Sequence, residues 1–159
     1  ASKYDGTQNI KGWFMSEKLD GVRCLWCGKL FTTRNGDVFD PPDFFIKEFP
    51  KDVILEGELF IDRGELQNTE SKLREQYKSD NWKNLKYIVL DSPSIQGNFS
   101  ERLKVLKEKF SKIDSSHIKL HEQKICKDDE YLKQEMKRVL TLGGEGIIVK
   151  DPKSKYEHK

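Results

Sequence analysis

Lys18 stands in the run Ser16-Glu17-Lys18-Leu19-Asp20-Gly21-Val22-Arg23, with a tight-turn signal directly after it and an arginine five residues on. Alone, such a lysine is an ordinary solvated surface charge. Held between apolar strand residues it would lose solvation, which favours the neutral amine a nucleophile needs. Arg23 offers a planar fork of donors suited to phosphate and sugar oxygens. The lysine precedes its glycine and no GxxxxGK[ST] is present, so this is not a Walker loop. Three acids extend the set. Glu56 and Glu58 alternate along one segment and so share a strand face, where they serve either a ligand or merely a solvated edge. Arg34, beside Asn35-Gly36, is a second basic candidate, or an exposed turn residue. Glu145 follows Gly143-Gly144, where an acid opposes a helix dipole, which favours a functional reason for it.

The elements that must position these residues are legible in outline. Trp13 to Ser16 reads as a short strand leading to the lysine. Gly21 to Trp26 and Leu30 to Thr33 form a hairpin around Gly28-Lys29, and Arg34-Asn35-Gly36-Asp37 makes a second turn. Pro41-Pro42 opens a short helical stretch, Asp43 to Glu48, that ends before Pro50. Val53 to Ile61 and Asn84 to Leu90 read as strands, with a charged, partly helical stretch, Glu65 to Asp80, between them. Ser100 is placed to cap a helix whose Leu103, Leu106 and Phe110 share a face. Asp128 or Asp129 caps another, carrying Leu132, Met136, Val139 and Leu140 and stopped by Gly143-Gly144. Gly146 to Lys150 reads as a buried strand. The sum is α+β: antiparallel sheets with flanking helices.

Composition bounds the function less than the spacing does. The 159 residues have room for one compact domain. Nine Phe, five Tyr and three Trp can supply a core in an otherwise polar chain. With 29 basic and 27 acidic residues the net charge of +2 forces any nucleic-acid surface to come from local clustering. Lys104, Lys107, Lys109 and Lys112 form one such cluster, which reads more readily as a solvated helix face. No apolar stretch approaches the roughly 20 residues of a membrane span. Cys24 and Cys27 have CxxC spacing but lack a second pair or a nearby histidine, so they read as strand cysteines. Three cysteines cannot pair completely, which points to a reducing, intracellular setting, whether cytoplasm, nucleus or a virus-infected cell.

Lys18-Leu19-Asp20-Gly21-Val22-Arg23 resembles the KxDGxR motif of the covalent nucleotidyltransferases, which include ATP-dependent DNA ligases, RNA ligases and mRNA-capping guanylyltransferases. Later segments arrive in the family's order. Leu55-Glu56-Gly57-Glu58-Leu59-Phe60 resembles its third motif, with Glu-Gly-Glu for Asp-Gly-Glu. Tyr87-Ile88-Val89-Leu90-Asp91-Ser92-Pro93 resembles the strand motif after it, and Glu145-Gly146-Ile147-Ile148-Val149-Lys150 resembles the fourth. Together with Arg34-Asn35-Gly36 and Glu101-Arg102-Leu103, these look most like the small, minimal DNA ligases of bacteria and viruses.

The resemblance implies an ATP-grasp-like nucleotidyltransferase (DNA ligase adenylation) fold and ATP and Mg²⁺ as cofactors. It also implies nicked duplex DNA as partner, in repair, replication or recombination, and a monomer. Lys18 would take AMP from ATP as a phosphoramidate. Ser16 and the backbone at Glu17 would face adenine. Arg23 and Arg34 would contact the sugar and later the nick 5′-phosphate. Glu58 would hold the ribose, and Glu145 would sit near the phosphate and its metal. Leu90 stands where the family has an aromatic ring that stacks on adenine, so Tyr87 or another ring would have to substitute, or nucleotide binding is weaker by ~1 kcal/mol. The fifth motif and the OB-fold domain expected after it are absent from residues 1–159, which are therefore expected to be a truncated adenylation domain that binds nucleotide and seals nicks poorly or not at all. An RNA ligase or capping guanylyltransferase core, and an inactive nucleic-acid-binding module, remain alternatives.

Overall fold

The computed structural model describes the backbone of Ser2–Lys3 and residues 9–157. In chain order the elements are β1 (Ser2–Lys3), β2 (Phe14–Glu17), β3 (Val22–Trp26), β4 (Phe31–Thr32), β5 (Val38–Phe39), α1 (Asp43–Ile46), β6 (Leu55–Phe60) and α2 (Leu66–Arg74). After a 3₁₀ turn at Ser79–Trp82 come β7 (Lys86–Asp91), α3 (Phe99–Phe110), β8 (Ile118–Leu120), β9 (Lys124–Ile125), α4 (Asp129–Thr141) and β10 (Ile147–Lys150).

The strands form two sheets, ordered β1-β10-β2-β9 and β5-β4-β3-β6-β7-β8. The expected antiparallel pairing holds except at one edge: β8 runs parallel to β7, because helix α3 carries the chain back before β8 begins. The larger sheet rests on an aromatic core in which Trp26, Phe31, Phe45, Trp82 and Tyr87 are fully buried. Burying this many rings supplies the apolar area that a polar chain otherwise lacks. A second cluster, with Met15, Val139, Ile147 and Val149, sits under α4 and the smaller sheet. Phe14 of β2 meets Phe99 of α3 edge-on at 5.4 Å between ring centroids, tying α3 to both sheets.

Several sequence expectations shift. The α3 cap is Asn98, not Ser100: its side chain accepts from the Glu101 N–H while the Glu101 carboxylate accepts from the Asn98 N–H, a reciprocal capping box. Of the two acids offered as the α4 cap, Asp128 is the one that fills it, accepting from the Tyr131 N–H. In β10 only Ile147 and Val149 are buried, so that strand alternates rather than running apolar throughout. The third and fourth partners of the smaller sheet include β9, a two-residue strand unmarked in the sequence pattern.

Two glycines of the conspicuous segments are fixed by close approach. A Cβ on Gly21 would lie 2.5 Å from the Leu59 carbonyl oxygen, and one on Gly57 would lie 2.3 Å from that of Ile88. Neither neighbour is a movable side-chain end, so glycine lets β6 press between the lysine turn and β7.

Candidate active site

Lys18 is the first residue beyond β2, and its N–H donates to the Gly146 carbonyl at 2.9 Å just before β10 begins. This pairing brings Glu145 beside it: Lys18 Nζ lies 3.9 Å from Glu145 Oε2. The expected desolvation of Lys18 is not found. Its side chain is 53% exposed, because the residue sits past the strand end rather than between apolar strand neighbours.

Across from it, β3 and β6 place Arg23 directly opposite Glu58. β6 is an interior strand paired on both sides, so Glu56 and Glu58 are not a solvated edge. Glu58 is 9% exposed, and its Oε2 is buried with no hydrogen-bond partner. Burial lifts its pKa to about 7, against the downward pull of Arg23 and of the Gly21 N–H. An orphaned buried carboxylate oxygen costs free energy unless a ligand donor completes it. Glu56 is committed instead to Arg23, with an ion pair from Arg23 Nη2 to Glu56 Oε1. Burial lowers the Arg23 pKa, but the Glu56 carboxylate more than compensates and holds the guanidinium above its ordinary range.

A cavity of about 370 Å³ opens between the smaller sheet and β7–β8, lined in part by Ser16, Glu17, Ile88, His121 and Ile147. Sequence reasoning missed His121. Its Nε2 lies 2.8 Å from the Glu17 carbonyl oxygen and donates to it. Burial holds the ring below its ordinary pKa despite that bond, so the neutral tautomer carries its proton on Nε2. The Glu17 carboxylate is clamped by Arg63 Nε and Nη2 at 2.9 and 2.8 Å, so its side chain is already committed. Leu90 does not line this cavity; Ile88, two residues earlier on the same strand, does. Tyr87 cannot substitute as a stacking ring: it is fully buried in the core and donates to the Cys24 carbonyl at 2.8 Å.

A larger groove of about 1310 Å³ runs beside β3, β5 and α2, and Arg23, Glu56, Arg34 and Arg74 line it. Arg34 sits exposed on the β4–β5 turn, so the structure brings the two predicted arginines to one groove. Behind the sheet lies a second unforeseen set. Asp91, fully buried, accepts from Arg102 Nε at 2.8 Å and Nη2 at 3.1 Å and from Lys150 Nζ at 2.7 Å. Burial alone would raise Asp91, yet Arg102 and Lys150 hold it below the ordinary carboxylate range. The missed signal was Arg102 itself, which falls on the apolar stripe of α3 with Phe99, Leu103 and Leu106. Of the expected basic run, Lys104, Lys107 and Lys109 lie on that helix and Lys112 falls just beyond its end; Lys109 reaches Asp52 at 3.4 Å, while Lys104, Lys107 and Lys112 are exposed.

Comparison with known proteins fits this arrangement. Residues 3–159 match the family model described as ATP dependent DNA ligase domain. A DNA ligase of Haemophilus influenzae (strain ATCC 51907 / DSM 11121 / KW20 / Rd) is 43% identical over 152 residues, covering 96% of this chain and 56% of that protein. A solved Lig E DNA ligase, studied for DNA binding with a minimal scaffold, aligns at TM-score 0.88 with 29% identity, over 99% of this chain and 62% of its own. The Chlorella virus DNA ligase-adenylate shares the fold at TM-score 0.73 and 19% identity, over 92% of this chain and 55% of its own. This chain thus spans little more than half the length of the curated relative. With the lysine turn, the Glu58 cradle and the two-sheet cleft already in place, the match over nearly every residue settles the family: the chain belongs to the ATP-dependent DNA ligase domain family.

Proposed function

We propose that this chain is the adenylation core of an ATP-dependent DNA ligase. The observation that carries the reading is the grouping itself: Lys18 on the turn after β2, Glu145 at 3.9 Å from its amine, and a buried Glu58 oxygen that lacks a donor. Lys18 Nζ attacks the α-phosphorus of ATP in line; a P–N bond forms, the bond to pyrophosphate breaks, and the amine proton is lost. Adenine enters between Ser16 and the Glu17 backbone on one side and Ile88 on the other, while a ribose hydroxyl donates to Glu58. AMP then passes to the 5′-phosphate of nicked duplex DNA, which Arg23 and Arg34 hold in their shared groove, and the 3′-hydroxyl displaces AMP.

The described residues include no group of three or more His, Cys, Asp or Glu able to hold a metal. Glu145 fits Mg²⁺ in the manner that ion favours, one carboxylate completed by phosphate oxygens and water, and the ion would neutralise charge on the triphosphate. No described helix is long and apolar enough to cross a membrane. An intracellular site of action, in cell or virus-infected cell, follows from nicked DNA as substrate; the three free cysteines do not decide it. The working unit is a monomer.

The test is incubation with labelled ATP or GTP and Mg²⁺. An acid-labile adduct from ATP, absent in Lys18→Ala, is the expected result. An adduct from GTP instead would make this a capping enzyme, and no adduct from a full-length protein would leave a binding module. Comparing nicked DNA with nicked RNA then separates DNA from RNA ligase.

A further inference from the structure

Glu56 is bonded on both oxygens. Oε1 pairs with Arg23, and Oε2 accepts from the Tyr156 hydroxyl at 2.5 Å, from a residue one hundred positions later in the chain. Tyr156 is itself held in place. The segment around it folds over the start of α3, with the Phe99 N–H donating to the Ser154 carbonyl at 2.9 Å and the Ser100 N–H to the Pro152 carbonyl at 2.9 Å. Arg102 Nη1 reaches the same Ser154 carbonyl at 3.2 Å, and its guanidinium carbon lies 5.9 Å from the Tyr156 ring centroid. Burial and the Glu56 carboxylate raise the phenol well above its ordinary pKa, so it stays a donor.

From this geometry we propose that Tyr156 is a positioning residue for Arg23, acting through Glu56. A flexible arginine whose side chain is 55% exposed would otherwise sample many rotamers in the groove. Glu56 cancels that freedom only if the carboxylate itself is fixed, and Tyr156 is what fixes its second oxygen. The glutamate has the reach to bridge both partners; an aspartate, one methylene shorter, cannot hold both at these separations. The pairing also ties the anion-binding arginine to the chain segment that leads out of β10, so the two move as one unit.

The inference rests on the ligase reading, and its test separates the two. In the full-length protein, Tyr156→Phe should lower the single-turnover rate of AMP transfer to the 5′-phosphate of nicked DNA about tenfold, at saturating DNA. The unfolding midpoint should be unchanged to within a degree or two, since the ring stays. Glu56→Gln should show a comparable loss, and the double variant should be no slower than Glu56→Gln alone, the signature of residues acting in series. Glu56→Asp should also lose rate, even though it keeps the charge. Losses that simply multiply, or a Tyr156→Phe protein as fast as the parent, would overturn the proposal. Failure of the unmodified protein to form a lysine adduct would instead sink the ligase reading, and Tyr156 with it.

Discussion

At the residue scale, Glu58 joins structure to pH. Its folded pKa of about 7 stands above the value of about 4.5 in an unfolded chain, so between those limits the folded state binds more protons. Stability from this group is therefore present below about pH 4.5 and is lost as pH rises through 7. Glu58→Gln removes the titration. Urea unfolding of the variant and the parent should show the variant gaining on the parent by about 2 kcal/mol between pH 5 and pH 8. A difference flat with pH would mean the carboxylate is already ionised in the fold. The same substitution keeps the side chain's shape but removes the charge to which, on the proposed reading, a ribose hydroxyl donates, so ATP affinity should fall at pH 8. Arg34 makes the contrasting case. It sits on an exposed turn in the groove, away from the cavity lined by Ser16 and Glu17. Arg34→Ala should leave the rate of lysine-adduct formation within about twofold and lower transfer to nicked DNA tenfold or more, a loss on the order of 1.4 kcal/mol or greater.

At the scale of elements, α3 is the joint between the sheets, and its anchor is electrostatic. Asp91→Asn would leave the fully buried Arg102 and the mostly buried Lys150 facing a neutral amide. Removing one partner of a buried network costs far more than the intact network contributes, so a loss of about 3 kcal/mol is expected, measured as a fall in denaturation midpoint. If Asp91→Asn unfolds at the parent's midpoint, the network carries no weight. Here the limits of sequence reading are visible. The hairpin at Gly28, the Asn35-Gly36 turn and the lysine turn were legible because each is local, set by residues within a few positions. The α3 cap was also legible, since Asn98 and Glu101 stand three apart ahead of an apolar run, yet Ser100 drew the assignment. By contrast β8 and β9 hold three and two residues, and their pairing with β7 and β2 is fixed by chain brought from far away. Tyr87 stood as a possible base-stacking ring only because the family resemblance puts an aromatic where Leu90 stands; in the fold Tyr87 of β7 is buried in the core and Ile88 lines the cavity.

At the scale of the whole molecule, the two recesses divide the chemistry. On the proposed reading the smaller cavity, between the sheets, takes the nucleotide base, and the larger groove, beside β3 and α2, offers Arg23, Arg34 and Arg74 to a phosphate backbone. Glu56 and Glu70 line that groove too, and the net charge of the sequence is only +2. Three arginines give few phosphate contacts, so DNA affinity should depend weakly on salt, with a log–log slope of about −2 to −3. That is too little to hold a nick through three chemical steps, and this chain spans 56% of its curated relative's length. We therefore expect residues 1–159 alone to form the lysine adduct with ATP at a normal rate and to seal nicks at least a hundredfold more slowly than a full-length ligase of the family. Measured side by side at 50 mM salt, sealing by the short chain within about tenfold of the longer protein would show that the groove alone grips DNA. A salt slope steeper than about −5 would say the same by an independent route, because it would require phosphate contacts beyond those the groove's arginines provide.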